Sequence, residues 1–293
     1  MLRNTHQFKK KTFKYLILGS NGLLGKELKK ILPSTKTLCI ARNASDINID
    51  LINFKKLEKV FENNKFVNVV NSVAITNLHK CQKNITLCDK INFKLVVKLN
   101  QLSKKFKFKL VHISTDLVYV NKKNLVHKEN DSIGYCNNYA KTKFLCEKSL
   151  RSNLNKLIIR TNFTGFKKKL SLTFVGWLLE NIKKKKKINL FNDLYCSTID
   201  VKTCALIIKK LMLKNCKGVF NLGTSDSLTK KEFAVRFAKK LKKKIYYDEI
   251  SAKNTSIKKP LNLTLNINKI ERTLNIKMIS SIQAINNLIK YKI

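Results

Sequence analysis

Short apolar runs alternate along this chain with longer stretches in which apolar residues recur every three or four positions. The first run, KYLILGS at residues 14–20, predicts a β-strand, and the leucines that follow it between residues 23 and 32 have the spacing of one helix face. Pro33 marks the end of that helix. The alternation then predicts strands at residues 37–41, 66–74, 108–115 and 156–161 and helices at residues 54–64, 85–105 and 137–151.

This order of elements predicts the fold class. Strands that alternate with helices pair in parallel through right-handed crossovers, so we expect an α/β fold with a Rossmann-type doubly wound parallel sheet. Beyond about residue 165 the alternation loosens, and helices are predicted near residues 171–184, 200–213 and 229–241. We therefore expect a smaller C-terminal lobe beside the sheet.

The net charge of +43 raises the question of nucleic-acid binding, because Lys and Arg neutralise phosphates. Only 6 of the 61 basic residues are Arg, whereas reading of base edges favours Arg. The lysines extend along the whole chain, which has only 8 Gly and 2 Pro. That distribution indicates a drift in composition, so we expect no specific nucleic-acid partner.

Neither a membrane segment nor a cysteine framework is expected. No apolar run reaches the ~18 to 20 residues that span a bilayer, and the N-terminus lacks the pattern of a signal peptide, so the expected compartment is the cytoplasm. The 8 cysteines form no Cys-x-x-Cys pair and show no metal-ligand spacing with the 4 histidines. We therefore expect neither a disulfide framework nor a bound metal.

The segment GSNGLLG, residues 19–25, connects the first predicted strand to the first predicted helix. Without side chains at Gly19 and Gly22, backbone N–H groups at the positive end of the helix can approach a pyrophosphate. Gly25 would let the helix pack closely on the strand. This context favours a dinucleotide site over an ordinary tight turn.

The end of the second predicted strand bears on which dinucleotide binds. Where an acidic residue would hold a ribose 2′-hydroxyl, this chain has Ala41, Arg42 and Asn43. A cation at that position suits a 2′-phosphate, so we expect NADPH and leave NADH open. The alternative interpretation is that Arg42 is one more exposed basic residue.

The segment YAKTK supplies the candidate chemistry. Tyr139 and Lys143 lie four residues apart on a predicted helix and share a face. A neighbouring ammonium would lower the pKa of the phenol, which could then hand a proton to a carbonyl oxygen. Thr115, in the strand-end segment ISTD, could hydrogen-bond the same carbonyl. In a chain so rich in Lys, a chance Tyr-x-x-x-Lys pair stays the alternative.

Four segments together resemble the extended short-chain dehydrogenase/reductase family, and within it the dTDP-4-dehydrorhamnose reductase-like branch. They are GSNGLLG, VNSVAIT at 70–76, ISTDLVYV at 113–120 and NNYAKTKFLCEKSL at 137–150. The resemblance implies reduction of the 4-keto group of a nucleotide-linked 6-deoxyhexose by NADPH or NADH, for surface polysaccharide or deoxysugar synthesis. It also implies that Thr115, Tyr139 and Lys143 are the catalytic residues.

The resemblance implies further site residues and a division of the chain. The implied cofactor contacts are Gly19, Asn21, Gly22, Leu23, Leu24, Gly25, Arg42, Asp50, Leu51, Val73, Ala74, Tyr139 and Lys143. The implied substrate contacts are Thr76, Asp116, Asn162, Phe163 and Lys259, and Asn92 would support the active-site strands. Residues 1–12 are assigned to a basic N-terminal arm, 13–165 to the NAD(P)-binding Rossmann domain, and 166–293 mainly to a substrate-binding lobe from which some segments return to the core.

Departures from the family pattern concern the substrate. A proline of the pattern is replaced by Tyr135, an acidic pair by His79 and Gln82, and the Arg of an Arg-Pro motif by Lys259, which cannot repeat the Arg fork to a phosphate. The sugar and the nucleoside therefore stay open.

Other functions stay open as well. The chain could be a catalytically silent NADP-binding regulatory subunit, a sugar-nucleotide epimerase or a polyanion-binding protein. A dehydratase is disfavoured because the residue after Asp116 is Leu117, so an acidic pair is absent. The expected partner is a nucleotide-sugar substrate, with a homodimer left open, and His112 is interpreted as a hydrogen-bonded core residue.

Overall fold

The structure, a computed structural model, describes residues 10–120, 126–167 and 173–290. The strands are β1 (Lys11–Leu18), β2 (Thr37–Ala41), β3 (Ile47–Asn48), β4 (Asn64–Asn71), β5 (Lys109–Ile113), β6 (Lys156–Thr161), β7 (Phe163–Thr164), β8 (Ile188–Phe191), β9 (Tyr195–Cys196), β10 (Ile199–Asp200), β11 (Gly218–Leu222), β12 (Leu228–Thr229), β13 (Tyr247–Ile250) and β14 (Asn262–Leu263). The α-helices are α1 (Leu23–Ile31), α2 (Phe54–Asn63), α3 (Leu78–Lys83), α4 (Ile85–Asp89), α5 (Leu95–Phe106), α6 (Asn138–Ser149), α7 (Phe174–Lys183), α8 (Val201–Leu213), α9 (Lys230–Lys240), α10 (Asn268–Leu274) and α11 (Ser281–Lys290).

A seven-stranded sheet forms the centre of the fold. Its strand order is β3-β2-β1-β4-β5-β6-β11, and every neighbouring pair is parallel. The order reverses between β1 and β4, which opens a crevice at the carboxyl ends of these two strands. The predicted α/β fold with a doubly wound parallel sheet is confirmed.

Helices cover both faces of this sheet. One buried cluster joins the sheet to α1 and α8 through residues such as Leu28 and Ile208. The cluster on the other face includes Leu57 of α2, Leu99 of α5 and Cys146 of α6. A third cluster lies among α7, β8, α9 and α11, in the C-terminal half of the chain. The smaller sheets of that half pair β8 with β13, β9 with β12 and β14, and β7 with β10.

The first strand begins earlier than predicted. β1 starts at Lys11, inside the segment assigned to a basic arm, because its backbone pairs with β4 from Lys11 opposite Asn64 onward. The rings of Phe13 and Phe66 stack 5.9 Å apart on the same strand pair. Residues 1–9 of the predicted arm lie outside the described residues.

The helix predicted at 85–105 is divided. A five-residue π-helical turn, Lys90–Lys94, separates α4 from α5, and α3 precedes them as a helix that was not predicted. Two asparagines explain the separate starts: Asn77 accepts a hydrogen bond from the backbone N–H of Lys80, and Asn84 caps the next helix in the same way.

The two short helices also bring Cys81 and Cys88 together as a disulfide. The expectation of no disulfide framework is therefore corrected by this local disulfide. The spacing between the two cysteines did not indicate this disulfide, because their approach depends on the break between α3 and α4 at Asn84.

The described ranges contain no helix that is both long and apolar enough to cross a membrane. The same ranges contain no group of three or more His, Cys, Asp or Glu side chains placed to hold a metal ion.

Candidate active site

The glycine loop lies at the crevice between β1 and β4. Gly19 has φ +81°, and a Cβ on Gly25 would come within 2.2 Å of the Gly19 carbonyl oxygen. α1 therefore packs against the loop at a distance that only glycine permits. Gly22, the N-cap of α1, provides no side-chain cap for the first N–H groups of the helix. This arrangement fits a bound phosphate group.

Arg42 lies on the loop directly beside the glycine segment. The Asn21 side chain donates to the backbone oxygen of Asn43 over 2.6 Å, and the hydroxyls of Ser20 and Ser45 lie 2.8 Å apart. These contacts hold the two loops together. Arg42 itself is exposed on the loop that these contacts hold beside the glycine segment.

Three of the other expected cofactor contacts, Asp50, Val73 and Ala74, lie around the same crevice. The backbone N–H of Ile49 donates to the Ala41 oxygen over 2.9 Å, which places Asp50 next to the end of β2. Asp50 is exposed, whereas Leu51 is buried in the core. Val73, followed by Ala74, packs its side chain against Gly19.

Tyr139 and Lys143 share the inner face of α6, as predicted from their spacing. The Asn137 side chain caps this helix by accepting a hydrogen bond from the Ala140 N–H. Both side chains are buried, Tyr139 being 8% exposed and Lys143 3%. The Lys143 ammonium donates to the Ile113 backbone oxygen over 2.8 Å.

Thr115 completes the set at the end of β5. Its hydroxyl donates to the Asp116 carboxyl over 3.0 Å and lies close enough to the Tyr139 phenol to lower the pKa of that phenol. The Leu117 N–H donates to the Thr115 oxygen and fixes the rotamer. The structure therefore brings together the three residues that the sequence proposed, and places Asp116, an expected substrate contact, beside Thr115.

The acid–base properties of this set differ from the expectation. Burial raises the pKa of Tyr139, and the charge of Asp116 raises it further, while the Thr115 hydroxyl lowers it. Burial lowers the pKa of Lys143. The predicted lowering of the phenol pKa by Lys143 is therefore wrong for this arrangement, because the ammonium is directed to a backbone oxygen and desolvation dominates.

Asn92 connects the cofactor crevice to the catalytic helix. Its side-chain oxygen accepts from the Ile75 N–H over 2.8 Å, and its amide donates to the Ile75 oxygen and to the Thr142 hydroxyl. It lies on the π-helical turn, which directs the side chain inward. Asn92 thus holds the segment after β4 against α6.

A buried ion pair that the sequence did not reveal fixes the other end of α6. Arg160 donates to both carboxylate oxygens of Glu147, at 3.1 and 2.7 Å. Glu147 also accepts from the Ser114 hydroxyl over 2.6 Å. Since Ser114 precedes Thr115, this pair anchors the strand end that carries the catalytic hydroxyl.

His112 is buried as expected, but it is not hydrogen-bonded as expected. Within the described ranges neither ring nitrogen has a hydrogen-bond partner. Burial, followed by the charge of Lys143, holds the pKa of His112 well below its ordinary value of 6.5. The imidazole is therefore neutral. Sequence periodicity could place His112 in a buried strand, but it could not show whether a hydrogen-bond partner lies beside the ring.

A cavity of about 300 Å³ has Leu117 among its lining residues, two positions after Thr115, whereas Thr115, Tyr139 and Lys143 do not line it. Its walls are mainly apolar, with Phe174, Trp177 and Phe191 supplying aromatic surface. The volume lies at the lower end of the ~300 to 1,000 Å³ usual for small-molecule sites. The cavity can therefore hold a small ligand.

The expected substrate residues divide between this cavity and other places. Asn162 and Lys259 line it, and the Asn162 amide donates to Asp116 over 2.8 Å. Thr76 is exposed on the loop after β4. Phe163 packs against the hydrophobic cluster of the sheet face and is not among the described residues that line the cavity. Lys230, which the sequence did not single out, does line it.

The start of α9 carried a signal that could have located Lys230. Thr229 and Glu232 form a capping box, in which each side chain accepts a hydrogen bond from the other's backbone N–H. The Thr-x-x-Glu pattern is readable in a sequence and marks Lys230 as the first helical residue. What the pattern cannot show is that this helix starts at the cavity.

Comparison with known proteins finds a family model that matches nearly the whole chain. A family model described as the RmlD substrate binding domain matches residues 13–292. The chain is similar to the dTDP-4-dehydrorhamnose reductase of Salmonella typhimurium, with 24% identity over 276 residues, covering 89% of this chain and 92% of the relative. It is also similar to the spore coat polysaccharide biosynthesis protein SpsK of Bacillus subtilis, with 27% identity over 222 residues, covering 75% of this chain and 77% of the relative.

A solved structure supports the fold. The dTDP-4-dehydrorhamnose reductase of Bacillus anthracis, solved in complex with NADP, superposes with a TM-score of 0.87 at 20% sequence identity and covers 97% of this chain and 100% of that chain. At this identity the likeness supports the architecture alone.

Proposed function

Because this chain belongs to the RmlD substrate binding domain family, we propose that it reduces the 4-keto group of a nucleotide-linked 6-deoxyhexose with NADPH. One observation carries the proposal: Tyr139, Lys143 and Thr115 are all buried at the sheet edge where the helix after the glycine loop starts without a side-chain cap. The curated relatives named above give the proposed substrate class, since one is named a dTDP-4-dehydrorhamnose reductase and the other a polysaccharide biosynthesis protein.

Tyr139 would act as the proton donor to the keto oxygen. A phenol whose pKa is raised by burial keeps its proton at neutral pH, so it enters the reaction in the form that an acid needs. Thr115 lies beside the phenol, and its hydroxyl donates to the Asp116 carboxyl. The N-terminus of α1 would bind the cofactor's pyrophosphate, and Lys143 its ribose. The bound nicotinamide would supply the hydride that the protein cannot.

The test is NADPH oxidation by the purified protein with dTDP-4-dehydro-6-deoxy-L-mannose, followed by loss of NADPH absorbance. Turnover supports the reductase. NADPH binding without turnover on this or related 4-keto sugar nucleotides would favour the regulatory subunit, and an isomerised sugar without net NADPH consumption would favour an epimerase. The cytoplasm and a homodimer stay predictions for the compartment and the assembly.

Arg42 gives a prediction about the cofactor. Replacement by Ala should raise the Kd for NADPH by about tenfold and leave the Kd for NADH unchanged, because only NADPH carries the 2′-phosphate that the guanidinium would bind. The measurement is titration of both cofactors by fluorescence. Arg151→Ala, at an exposed arginine beyond α6, is the matched control and should change neither value. Equal weakening of both cofactors by Arg42→Ala would contradict the assignment.

A further inference from the structure

Two consecutive hydroxyls after β5 each contact a buried carboxyl, and the two carboxyls have different partners. The Ser114 hydroxyl contacts Glu147, whose charge is offset by two hydrogen bonds from Arg160. The Thr115 hydroxyl lies 3.0 Å from Oδ1 of Asp116, which is only 2% exposed. No ion pair in the described part of the chain includes Asp116. A charge on this carboxyl would therefore be buried without a directly paired cation.

The second hydrogen-bond partner of Asp116 is a neutral amide. Nδ2 of Asn162 donates to Oδ2 of the carboxyl over 2.8 Å, and this oxygen accepts whatever the charge of the carboxyl. A proton on the carboxyl therefore belongs on Oδ1, the oxygen that faces the Thr115 hydroxyl. A buried carboxyl whose partners are neutral takes up a proton more readily than one that is ion-paired, as Glu147 is.

The charge of Asp116 determines where the one hydroxyl proton of Thr115 points. When Asp116 is ionised, the hydroxyl donates to Oδ1, and its oxygen accepts from the Leu117 N–H over 3.3 Å. A hydroxyl has a single O–H, so none is left for a keto oxygen, which can only accept. When Asp116 is protonated, Oδ1–H donates to the Thr115 oxygen, and the Thr115 O–H is free for the keto oxygen.

The titratable groups whose charges act on Asp116, or on which its charge acts, come from three elements. Burial raises the pKa of Asp116, and neighbouring hydrogen bonds and the charge of Lys230 on α9 act against that rise. Burial also raises the pKa of Tyr139 on α6 and of Cys196 on β9, so neither adds a negative charge at neutral pH. A protonated Asp116 no longer raises the pKa of Tyr139, but burial, the larger cause, still does.

We propose that Asp116 is a positioning residue that works in its protonated form and directs the Thr115 hydroxyl toward the keto oxygen. The proposal rests on the proposed function, because that function supplies the keto oxygen. The proton of Asp116 is not transferred: Tyr139 protonates the keto oxygen, and Thr115 donates a hydrogen bond to it. A neutral carboxyl also does not repel the negative charge that develops on this oxygen as the hydride arrives.

The first test is turnover by variants that separate the two forms of the carboxyl. In Asp116→Asn the new amide can donate to Thr115 and accept from Asn162, as a protonated carboxyl does, and it carries no charge. Its kcat should stay within about threefold of the wild type. Asp116→Ala, which leaves the Thr115 hydroxyl without this partner, should lower kcat about tenfold, and Thr115→Val, which removes the donor, about 100-fold.

The pH profile of the same variants gives the sign. In the wild type, kcat/KM should fall as the pH rises through the raised pKa of Asp116, because the ionised carboxyl takes the Thr115 hydroxyl away from the keto oxygen. Asp116→Asn should lack this fall. The proposal is overturned if Asp116→Asn loses as much activity as Thr115→Val, since the anion would then be the working form, or if the fall persists in Asp116→Asn.

Infrared spectra measure the protonation of Asp116 without turnover. The C=O stretching band of a protonated carboxyl should be present in the wild type at the pH of the assay and lost in Asp116→Asn. The matched control is Asp193→Asn, at a carboxyl that also accepts from a hydroxyl and an N–H, those of Ser251 and Ala252. Against the effect of burial, these hydrogen bonds lower the pKa of Asp193, so its replacement should leave the band in place.

The two readouts distinguish failure of this inference from failure of the proposed function. A wild type without the band, or a band that persists in Asp116→Asn, defeats the inference whether or not the protein oxidises NADPH. A wild type that shows the band but reduces no 4-keto sugar nucleotide defeats the proposed function, and the role of Asp116 in orienting Thr115 is then lost with it.

Discussion

Replacement of Tyr139 by Phe is expected to lower kcat by about 10³-fold, within the ~10² to 10⁴ that a positioned general acid contributes. The ring should keep its place, because it packs in a small buried cluster with the Cys81 and Cys88 side chains. Only the hydroxyl is removed, together with its contact to Thr115. The Kd for NADPH should therefore stay close to that of the wild type, and kcat should carry the loss.

The chain supplies a matched control four residues earlier. Tyr135 is 48% exposed, and its ring packs against Phe144 at 5.5 Å, so Tyr135→Phe removes a hydroxyl outside the buried set. This variant should turn over like the wild type. If the two variants lose activity to the same extent, or if Tyr139→Phe turns over normally, Tyr139 is not the proton donor.

The pH dependence of the same reaction follows from the direction of the pKa. An acid works while it is protonated, and burial raises the pKa of Tyr139 above its ordinary value of 10.0, which extends the protonated range upward. kcat/KM reports the protonation state of the free enzyme. We therefore expect no loss of kcat/KM from deprotonation of the phenol at any pH below 10.0. A phenol titration observed near neutral pH, for example by ultraviolet difference spectra lost in Tyr139→Phe, would contradict this expectation.

The features that the sequence could predict are those that depend on local spacing. The strand at 37–41 is where periodicity placed it, and Tyr139 and Lys143 share a helix face because they are four residues apart. The glycine loop is likewise local, since a turn between a strand and a helix determines its geometry. Thr115 could be added only because its segment follows another strand of the same sheet.

The features that the sequence could not predict depend on distant packing. Desolvation sets the direction of the Tyr139 pKa, and burial of a phenol is a property of the folded chain. The Arg160–Glu147 pair joins β6 to α6, and Lys230 reaches the cavity from a helix far along the chain. In a chain with 61 basic residues, no composition argument could separate these cations from the exposed ones.

Gly25→Ala is expected to have the second large effect, on both stability and cofactor binding. The added Cβ would lie 2.2 Å from the Gly19 oxygen and 2.8 Å from the Ser20 Cα, and both contacts are to backbone. Neither atom can turn away as a flexible side chain would, so α1 must move off the loop. We expect the free energy of unfolding to fall by about 3 kcal/mol, the upper part of the usual cost of overpacking, and the Kd for NADPH to rise at least about 100-fold because the N–H groups at the helix start shift away from the phosphate.

Gly218→Ala distinguishes this steric effect from the general cost of replacing a glycine. Gly218 has φ +90° at the start of the edge strand β11, but a Cβ there would meet no described atom within 4 Å. Its cost should be the backbone strain alone, roughly 1 to 2 kcal/mol, with NADPH affinity unchanged. Urea unfolding and NADPH titration of the two variants provide the measurement. Since the glycine loop can bind a phosphate only while α1 stays packed against it, a Gly25→Ala protein with wild-type stability and wild-type NADPH affinity would show that the cofactor binds elsewhere.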